Sequence, residues 1–128
     1  GNPLACSAAL ATLDIFEQDQ VLARNRHTAA KMGVLADALR THAHVADVRQ
    51  AGMMVAFELT RDGNRNTPFP ATARIGLHAY RAALACGVVL RPLGDVVYWM
   101  PPYCVDDKQL ALLACVTRAA IDEATACA

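Results

Sequence analysis

Apolar residues recur every three to four positions in four stretches of the chain, and this spacing predicts four helices. Asn2 followed by Pro3 predicts the start of the first helix, and Asp19 is the predicted cap of a second helix that runs to about Thr41. A third helix is expected to end at Gly87. A fourth should begin after Asp106, because Gln109 three residues on completes a capping box. The residues predicted to face inward are Leu4, Ala8, Ala11 and Ile15, then Met32, Leu35 and Leu39, then Ala73, Leu77, Tyr80 and Leu84, and finally Leu110, Leu113, Thr117, Ile121 and Ala124.

Two pairs of short strands are predicted between these helices. Residues 45–50 form one candidate strand, and residues 53–59 alternate apolar and polar positions after Gly52. Residues 61–70 are rich in glycine, asparagine and proline, which predicts a loop. Residues 88–103 predict two apolar strands joined by a tight turn. The order helix, helix, strand, strand, helix, strand, strand, helix predicts a two-layer α+β domain, with helices packed on a small, mainly antiparallel sheet.

Arg91 lies among apolar residues in the second strand pair. A guanidinium removed from water without a partner is costly, so we expect Arg91 to meet an anion, either a carboxylate of the protein or one of a ligand. Spacing alone favours the first. If residues 92–95 form a four-residue loop, Arg91 faces Val96 across the ladder. The residues that then share one face of the sheet are Val89, Arg91, Val96 and Tyr98.

The composition narrows the classes of partner and compartment. The 128 residues suit one domain, and the 12 basic and 12 acidic residues cancel without forming a charge run. Nucleic acid and acidic membranes are therefore not expected partners, and no stretch approaches the ~18 apolar residues of a membrane span. Five widely spaced cysteines without a Cys-x-x-Cys pair predict reduced, mostly buried thiols in a cytoplasmic protein. They are Cys6, Cys86, Cys104, Cys115 and Cys127.

The residues by themselves predict no catalytic group and no metal ligand. His42 and His44 lie near the expected end of the second helix, where we expect exposed side chains and see no third metal ligand. Lys31 and Lys108 lie in predicted helices, and neither has the setting of a desolvated, activated amine. Ser7 is the only serine and falls inside the first helix, so no serine–histidine–aspartate arrangement is indicated.

Three blocks of the sequence resemble the C-terminal small domain of class III pyridoxal-phosphate aminotransferases. They are GNPLACSAAL at residues 1–10, VADVRQAGMMVAFEL at residues 45–59 and RPLGDVVYWMPPY at residues 91–103. The resemblance runs through the whole chain. It implies that residues 1–128 are a single domain, the small domain of a longer fold type I enzyme whose large cofactor-binding domain is absent. A start at a helix cap, with no leader, agrees with this expectation.

The third block is similar to the pattern of family members that act in biotin biosynthesis. The resemblance implies transfer of an amino group from S-adenosylmethionine to 8-amino-7-oxononanoate, giving 7,8-diaminononanoate. It also implies that Arg91 binds the substrate carboxylate and that Tyr98 lies near the far end of the substrate. Leu93 stands where an aromatic residue is usual, and Cys104 where an aliphatic one is usual, which leaves the exact substrate open.

The cofactor of the longer enzyme is, by the same resemblance, pyridoxal 5'-phosphate in a homodimer. The lysine that holds it as a Schiff base matches a position upstream of Gly1, and neither Lys31 nor Lys108 corresponds to it. We therefore expect this chain alone to bind no cofactor and to be inactive.

Two alternatives stay open. One is the small domain of another class III aminotransferase, acting on an ω-amino acid or a diamine. The other is a stand-alone, non-catalytic binding or interaction module.

Overall fold

The computed structural model describes residues 1–126, and these form four α-helices and one antiparallel sheet of four strands. The predicted order of elements and the α+β class are confirmed. The elements are α1 (Pro3–Gln18), α2 (Val21–Asp37), β1 (Val45–Ala51), β2 (Met54–Leu59), α3 (Ile75–Ala85), β3 (Arg91–Leu93), β4 (Val96–Trp99) and α4 (Asp107–Ala126), with a short 3₁₀ turn at Ala71–Ala73. The strands lie in the order β1, β2, β4, β3.

Two of the three predicted helix starts are confirmed by their caps. The Asn2 side chain accepts a hydrogen bond from the backbone N–H of Leu4 at 3.0 Å. Asp106 and Gln109 exchange bonds of 2.8 and 2.9 Å between side chain and backbone, which is the predicted capping box. The third prediction is wrong, because Asp19 ends α1 and the residue that precedes α2 is Gln20, which has a left-handed backbone.

Helices α2 and α3 pack on one face of the sheet, and α4 packs against both of these helices. Because side chains alternate along a strand, the same face carries Val55 and Phe57 of β2 and their partners Trp99 and Val97 of β4. All four are at most 1% exposed, and the Phe57 and Trp99 rings meet edge to face with centroids 4.8 Å apart. The inward faces predicted for α2 and α4 are confirmed, since their residues are buried or, for Leu35, packed against this core.

The inward faces predicted for the other two helices are wrong. Helix α1 packs on α2 and has no buried residue, so its apolar face lies exposed in the described chain. Helix α3 buries Ile75, Gly76, Ala79 and Ala83, whereas Leu84 is 46% exposed. The small residues of α3 allow it to approach α4 and the sheet closely. Each small residue that is buried therefore comes one position before a larger residue that was predicted to face inward.

The cysteine prediction is correct in one respect and wrong in another. Cys6, Cys86, Cys104 and Cys115 are free, but all four are exposed rather than buried. Cys6 and Cys115 lie on outward faces of α1 and α4, and Cys86 and Cys104 lie in exposed turns. Cys127 lies outside the described residues. Within residues 1–126, every helix is too short or too polar to cross a membrane.

Candidate functional site

The hairpin of β3 and β4 has a shorter turn than the sequence suggested. Arg91 pairs with Tyr98 and Leu93 pairs with Val96, so the connection is a two-residue turn of Gly94 and Asp95. The predicted four-residue loop, with Arg91 opposite Val96, is wrong. A glycine with positive φ, here +61° at Gly94, is typical of such two-residue turns. The register differs by two residues, which preserves the side of the sheet, so Arg91 and Tyr98 share one face as predicted.

This shared face is the side of the sheet that the helices leave uncovered. The ladders place one residue of each strand in a row across it, in the order Arg49, Ala56, Tyr98 and Arg91. Ala56 is small and half-buried beside Tyr98, so nothing bulky separates the phenol from the rest of the row. The sequence did not reveal Ala56, because its place depends on the pairing of β2 with β4, two strands that are far apart in the chain.

The two arginines at the ends of this row have different surroundings. Arg49 forms ion pairs with Glu58 at 3.1 Å and Asp47 at 3.5 Å, and Arg65 also pairs with Asp47. Arg91 is exposed, and within residues 1–126 no carboxylate forms an ion pair with it. The protein carboxylate that spacing favoured is therefore not found in the described chain, and Arg91 is not withdrawn from water. Its guanidinium is available to an external anion.

An open groove of about 430 Å³ lies beside Arg91. Its walls are mainly apolar and come from the segments on either side of the hairpin and from α4. The residues nearest to Arg91 in sequence or across the hairpin are Val88, Val89, Met100, Pro101 and Pro102. A guanidinium on the wall of an apolar groove suits a ligand that joins a carboxylate to an aliphatic chain.

The turn of the hairpin is attached to the centre of the sheet. The backbone carbonyl of Asp95 accepts a hydrogen bond from the N–H of Leu59, at the end of β2, with a length of 2.8 Å. Burial raises the pKa of the Asp95 carboxyl, because the charged form loses water contacts in the cleft that it shares with Arg74 and Leu77. The turn that precedes Tyr98 is therefore held in place by backbone contacts, with a partly desolvated carboxyl at its second position.

The described residues do not fit a pyridoxal-phosphate site. The Nζ of Lys31 lies 2.6 and 2.7 Å from the two carboxylate oxygens of Asp107, so this amine already has a partner within the chain. Lys108 is exposed in the first turn of α4. Neither lysine is a desolvated amine ready for Schiff-base formation. Among residues 1–126 there is also no cluster of three or more histidine, cysteine or acidic side chains that would hold a metal ion.

His42 is buried, which corrects the expectation of an exposed side chain. It is 8% exposed, its Nδ1 accepts the backbone N–H of His44 at 3.1 Å, and its Nε2 lies 2.9 Å from Asp122 Oδ1. Because Nδ1 accepts, Nε2 carries the hydrogen and donates it to Asp122. The imidazole joins the segment before β1 to α4, and both ring nitrogens are occupied. Its role in the structure is packing and hydrogen bonding rather than catalysis.

Comparison with known proteins gives consistent matches over almost the whole chain. The family Aminotransferase class-III matches residues 1–121. The adenosylmethionine-8-amino-7-oxononanoate aminotransferase of Nitratidesulfovibrio vulgaris is 40% identical over 121 residues, which are 94% of this chain and 22% of that protein. The crystal structure of the enzyme of the same name from Methanocaldococcus jannaschii superposes with a TM-score of 0.89 at 34% identity, over 95% of this chain and 28% of that one.

A second solved structure, described as a transaminase with L-ala, superposes with a TM-score of 0.91 at 28% identity, over 99% of this chain and 30% of that one. These superpositions confirm the expected fold, the small domain of fold type I transaminases. The chain spans about a quarter of the length of the curated relatives that it matches.

Proposed function

Because the chain belongs to the class III aminotransferases, we propose that it supplies the carboxylate-binding surface of an enzyme that aminates 8-amino-7-oxononanoate with S-adenosylmethionine as the donor. The product would be 7,8-diaminononanoate, an intermediate of biotin biosynthesis. One observation carries the proposal: Arg91 is free of ion pairs within the described chain, faces Tyr98 directly, and borders an apolar groove. The curated relatives that bear this enzyme's name support the choice of substrate.

In this proposal the chain is the C-terminal small domain of a longer, homodimeric, cytoplasmic enzyme. The coverage of about a quarter of each relative supports the part of this proposal that makes the enzyme longer than this chain. Since residues 1–126 do not fit pyridoxal phosphate, residues outside this chain hold the cofactor. The part left to this domain is to bind and orient the keto substrate.

Arg91 binds the carboxylate of the keto substrate through two parallel N–H···O bonds, the geometry that a guanidinium offers and an ammonium does not. The methylene chain that follows the carboxylate lies along the apolar groove and is removed from water there. Tyr98 lies on the neighbouring strand and, as the resemblance implies, its phenol is near the far end of the substrate. The carboxylate therefore fixes one end of the substrate, and this end determines where the keto group at the other end is presented.

The test uses the full-length enzyme that carries this chain. Arg91→Ala removes a charge-assisted hydrogen bond worth about 1.5–3 kcal/mol, which corresponds to a rise of roughly 10- to 150-fold in the KM for 8-amino-7-oxononanoate. The half-reaction with S-adenosylmethionine is measured separately, because this donor carries an α-carboxylate of its own and its rate shows whether Arg91 binds the donor as well. Steady-state kinetics and rapid mixing separate the two.

Arg49→Ala is the matched control. It removes a guanidinium from the same row and the same face, but one that Glu58 and Asp47 already neutralise. We expect it to leave the KM for the keto substrate unchanged. An unchanged KM in Arg91→Ala would exclude the carboxylate assignment, and equal effects of both variants would show a general electrostatic effect instead.

A second candidate function keeps the chemistry and changes the donor. The likeness to the transaminase with L-ala, at 28% identity, is the observation that favours this second candidate. The discriminating measurement is the change in cofactor absorbance on mixing the enzyme with one donor at a time: S-adenosylmethionine, alanine, glutamate, lysine or a diamine. Bleaching by S-adenosylmethionine alone supports the first proposal. Bleaching by another donor instead moves the function to a different class III aminotransferase.

We expect this 128-residue chain on its own to be inactive and to retain no cofactor. The physical reason is the state of its two lysines, one paired with Asp107 and the other exposed. The measurement is absorbance at the cofactor band after incubation with pyridoxal phosphate and dialysis. Retained absorbance together with turnover would contradict this expectation.

A further inference from the structure

The first turn of α3 touches the turn of the hairpin that carries Arg91. A Cβ added at Gly76 would lie 2.3 Å from the carbonyl oxygen of Gly94 and 3.5 Å from that of Val96. Such a distance to a backbone atom is not found for real Cβ atoms, and a backbone oxygen cannot rotate away as the end of a side chain can. The helix and the turn are therefore in contact through the Cα of Gly76, in the manner of a Cα–H···O interaction.

The hairpin has few other supports. Strands β3 and β4 have three and four residues, and β3 lies at the edge of the sheet. The turn is held from one side by the bond between the Leu59 N–H and the Asp95 carbonyl. It is held from the other side by the first turn of α3, where Ile75 and Gly76 are both buried. The position of the turn therefore depends on how closely α3 approaches it.

We propose that Gly76 is a positioning residue for Arg91 and Tyr98. Its lack of a side chain lets the first turn of α3 contact the Gly94 carbonyl, and this contact sets the position of the hairpin that carries Arg91 and Tyr98. This inference rests on the proposed function of Arg91. It assigns Gly76 no contact with the substrate. Its action passes through the turn to the two residues that face each other across β3 and β4.

The expected effect of Gly76→Ala follows from the distances. For the new Cβ to reach even 3.0 Å from the Gly94 oxygen, the helix and the turn must separate by at least 0.7 Å, the difference between 3.0 and 2.3 Å. Misplacement of a binding group by about 1 Å costs up to ~100-fold in rate or affinity. Because the helix and the turn share the movement, we expect a rise of about tenfold in the KM for the keto substrate.

The experiment is a double-mutant cycle in the full-length enzyme, with Gly76→Ala, Arg91→Ala and the combination. If Gly76 acts through Arg91, Gly76→Ala raises the KM about tenfold in the wild-type background and changes it by less than about twofold when Arg91 is already absent. Equal increases in both backgrounds, or no increase in the wild-type background, overturn the proposal.

Two further variants keep the test decisive. Ala85→Gly weakens the same helix at its exposed last turn, away from the hairpin, and should leave the KM unchanged. If Gly76→Ala does not fold, Ile75→Ala displaces the first turn of α3 without adding atoms next to the hairpin. The Ile75 side chain is 1% exposed and holds this turn in place, and the substitution removes it. A KM raised at least twofold in folded Ile75→Ala enzyme supports the proposal, and an unchanged KM overturns it.

The cycle also distinguishes this inference from the function on which it rests. If Arg91→Ala leaves the KM unchanged, the proposed function fails, and Gly76 loses its role with it. If Arg91→Ala raises the KM and Gly76→Ala does not, the proposed function stands and only the inference about Gly76 is wrong.

Discussion

The bond between Trp99 and Thr117 provides a sharp test of how the sheet is attached to α4. The indole Nε1–H of Trp99 donates to Thr117 Oγ1 at 2.8 Å, and the same hydroxyl donates to the Leu113 carbonyl at 2.7 Å. Trp99 is 1% and Thr117 is 0% exposed, so water cannot replace either partner. Thr117→Val keeps the shape of the side chain, removes the hydroxyl, and leaves the indole N–H buried without an acceptor.

The cost of a buried, unsatisfied donor is about 1–3 kcal/mol. The Leu113 carbonyl keeps its helical partner and adds little to this cost. For an unfolding slope of about 1–3 kcal/mol per molar urea, a loss of 2 kcal/mol lowers the midpoint of unfolding by about 1 M. The assay is urea unfolding followed by far-ultraviolet circular dichroism, because this probe also reports on a variant without tryptophan.

The decisive control is the same substitution in a Trp99→Phe background. Phenylalanine has no N–H, so Thr117→Val has no donor to leave unsatisfied and should cost less than about 0.5 kcal/mol there. Thr117→Ser retains the hydroxyl and should lose only about 1 kcal/mol, the contribution of one buried methyl group. If Thr117→Val costs the same in both backgrounds, the hydrogen bond is not the cause of the loss.

Three further predictions follow from particular contacts. Burial raises the pKa of Asp95, so the folded state binds more protons than the unfolded state and this carboxyl reduces stability as pH rises. In thermal unfolding, Asp95→Asn should therefore have a higher melting temperature than wild type at pH 7 and the same melting temperature at pH ~3. Gly33→Ala gains up to ~1 kcal/mol of helix propensity but displaces Gln50, whose Nε2 donates to the Ala29 and Gly52 carbonyls, so urea unfolding should show a net loss of about 0–1 kcal/mol rather than a gain. The exposed apolar face of α1 should cause this chain to self-associate, and a single monomeric species in sedimentation velocity at high concentration would contradict that.

The sequence predicted best where a local pattern decides the structure by itself. Helix α4 has a capping box at its start and large apolar residues at helical spacing, and both predictions hold. Strand β2 alternates strictly, and its apolar side is buried as expected. In each case the signal lies within a few consecutive residues, so no knowledge of the partner elements was needed.

The wrong predictions concern contacts between elements. The apolar face of α1 exists, but periodicity does not show what packs on it, and in the described chain it is exposed. Helix α3 packs through Ala79 and Ala83, small residues that a pattern of large apolar side chains ignores. The buried His42 found its acceptor in Asp122, a residue 80 positions away in the sequence, which spacing cannot reveal.

The hairpin shows which features of a site survive an error in register. Pro92, Gly94 and Asp95 all favour turns, so the sequence did not decide between a two-residue and a four-residue connection, and an edge strand tolerates the proline. A shift of two residues changes the partner of Arg91 from Val96 to Tyr98 but leaves it on the same face. The shared face was therefore predictable, whereas the direct pairing was not.

The charges on the open face explain why Arg91, rather than another arginine of the same surface, is proposed to bind the substrate. Asp47 and Glu58 lie on β1 and β2, where they neutralise Arg49 and Arg65. In the row across this face, Ala56 of β2 and Tyr98 of β4 lie between Arg49 and Arg91. Within the described residues, the arginine of this row that has no ion pair is therefore Arg91, at the β3 edge and beside the apolar groove. A ligand with one carboxylate and an aliphatic chain meets both of its requirements there, and the paired arginine at the opposite edge offers neither.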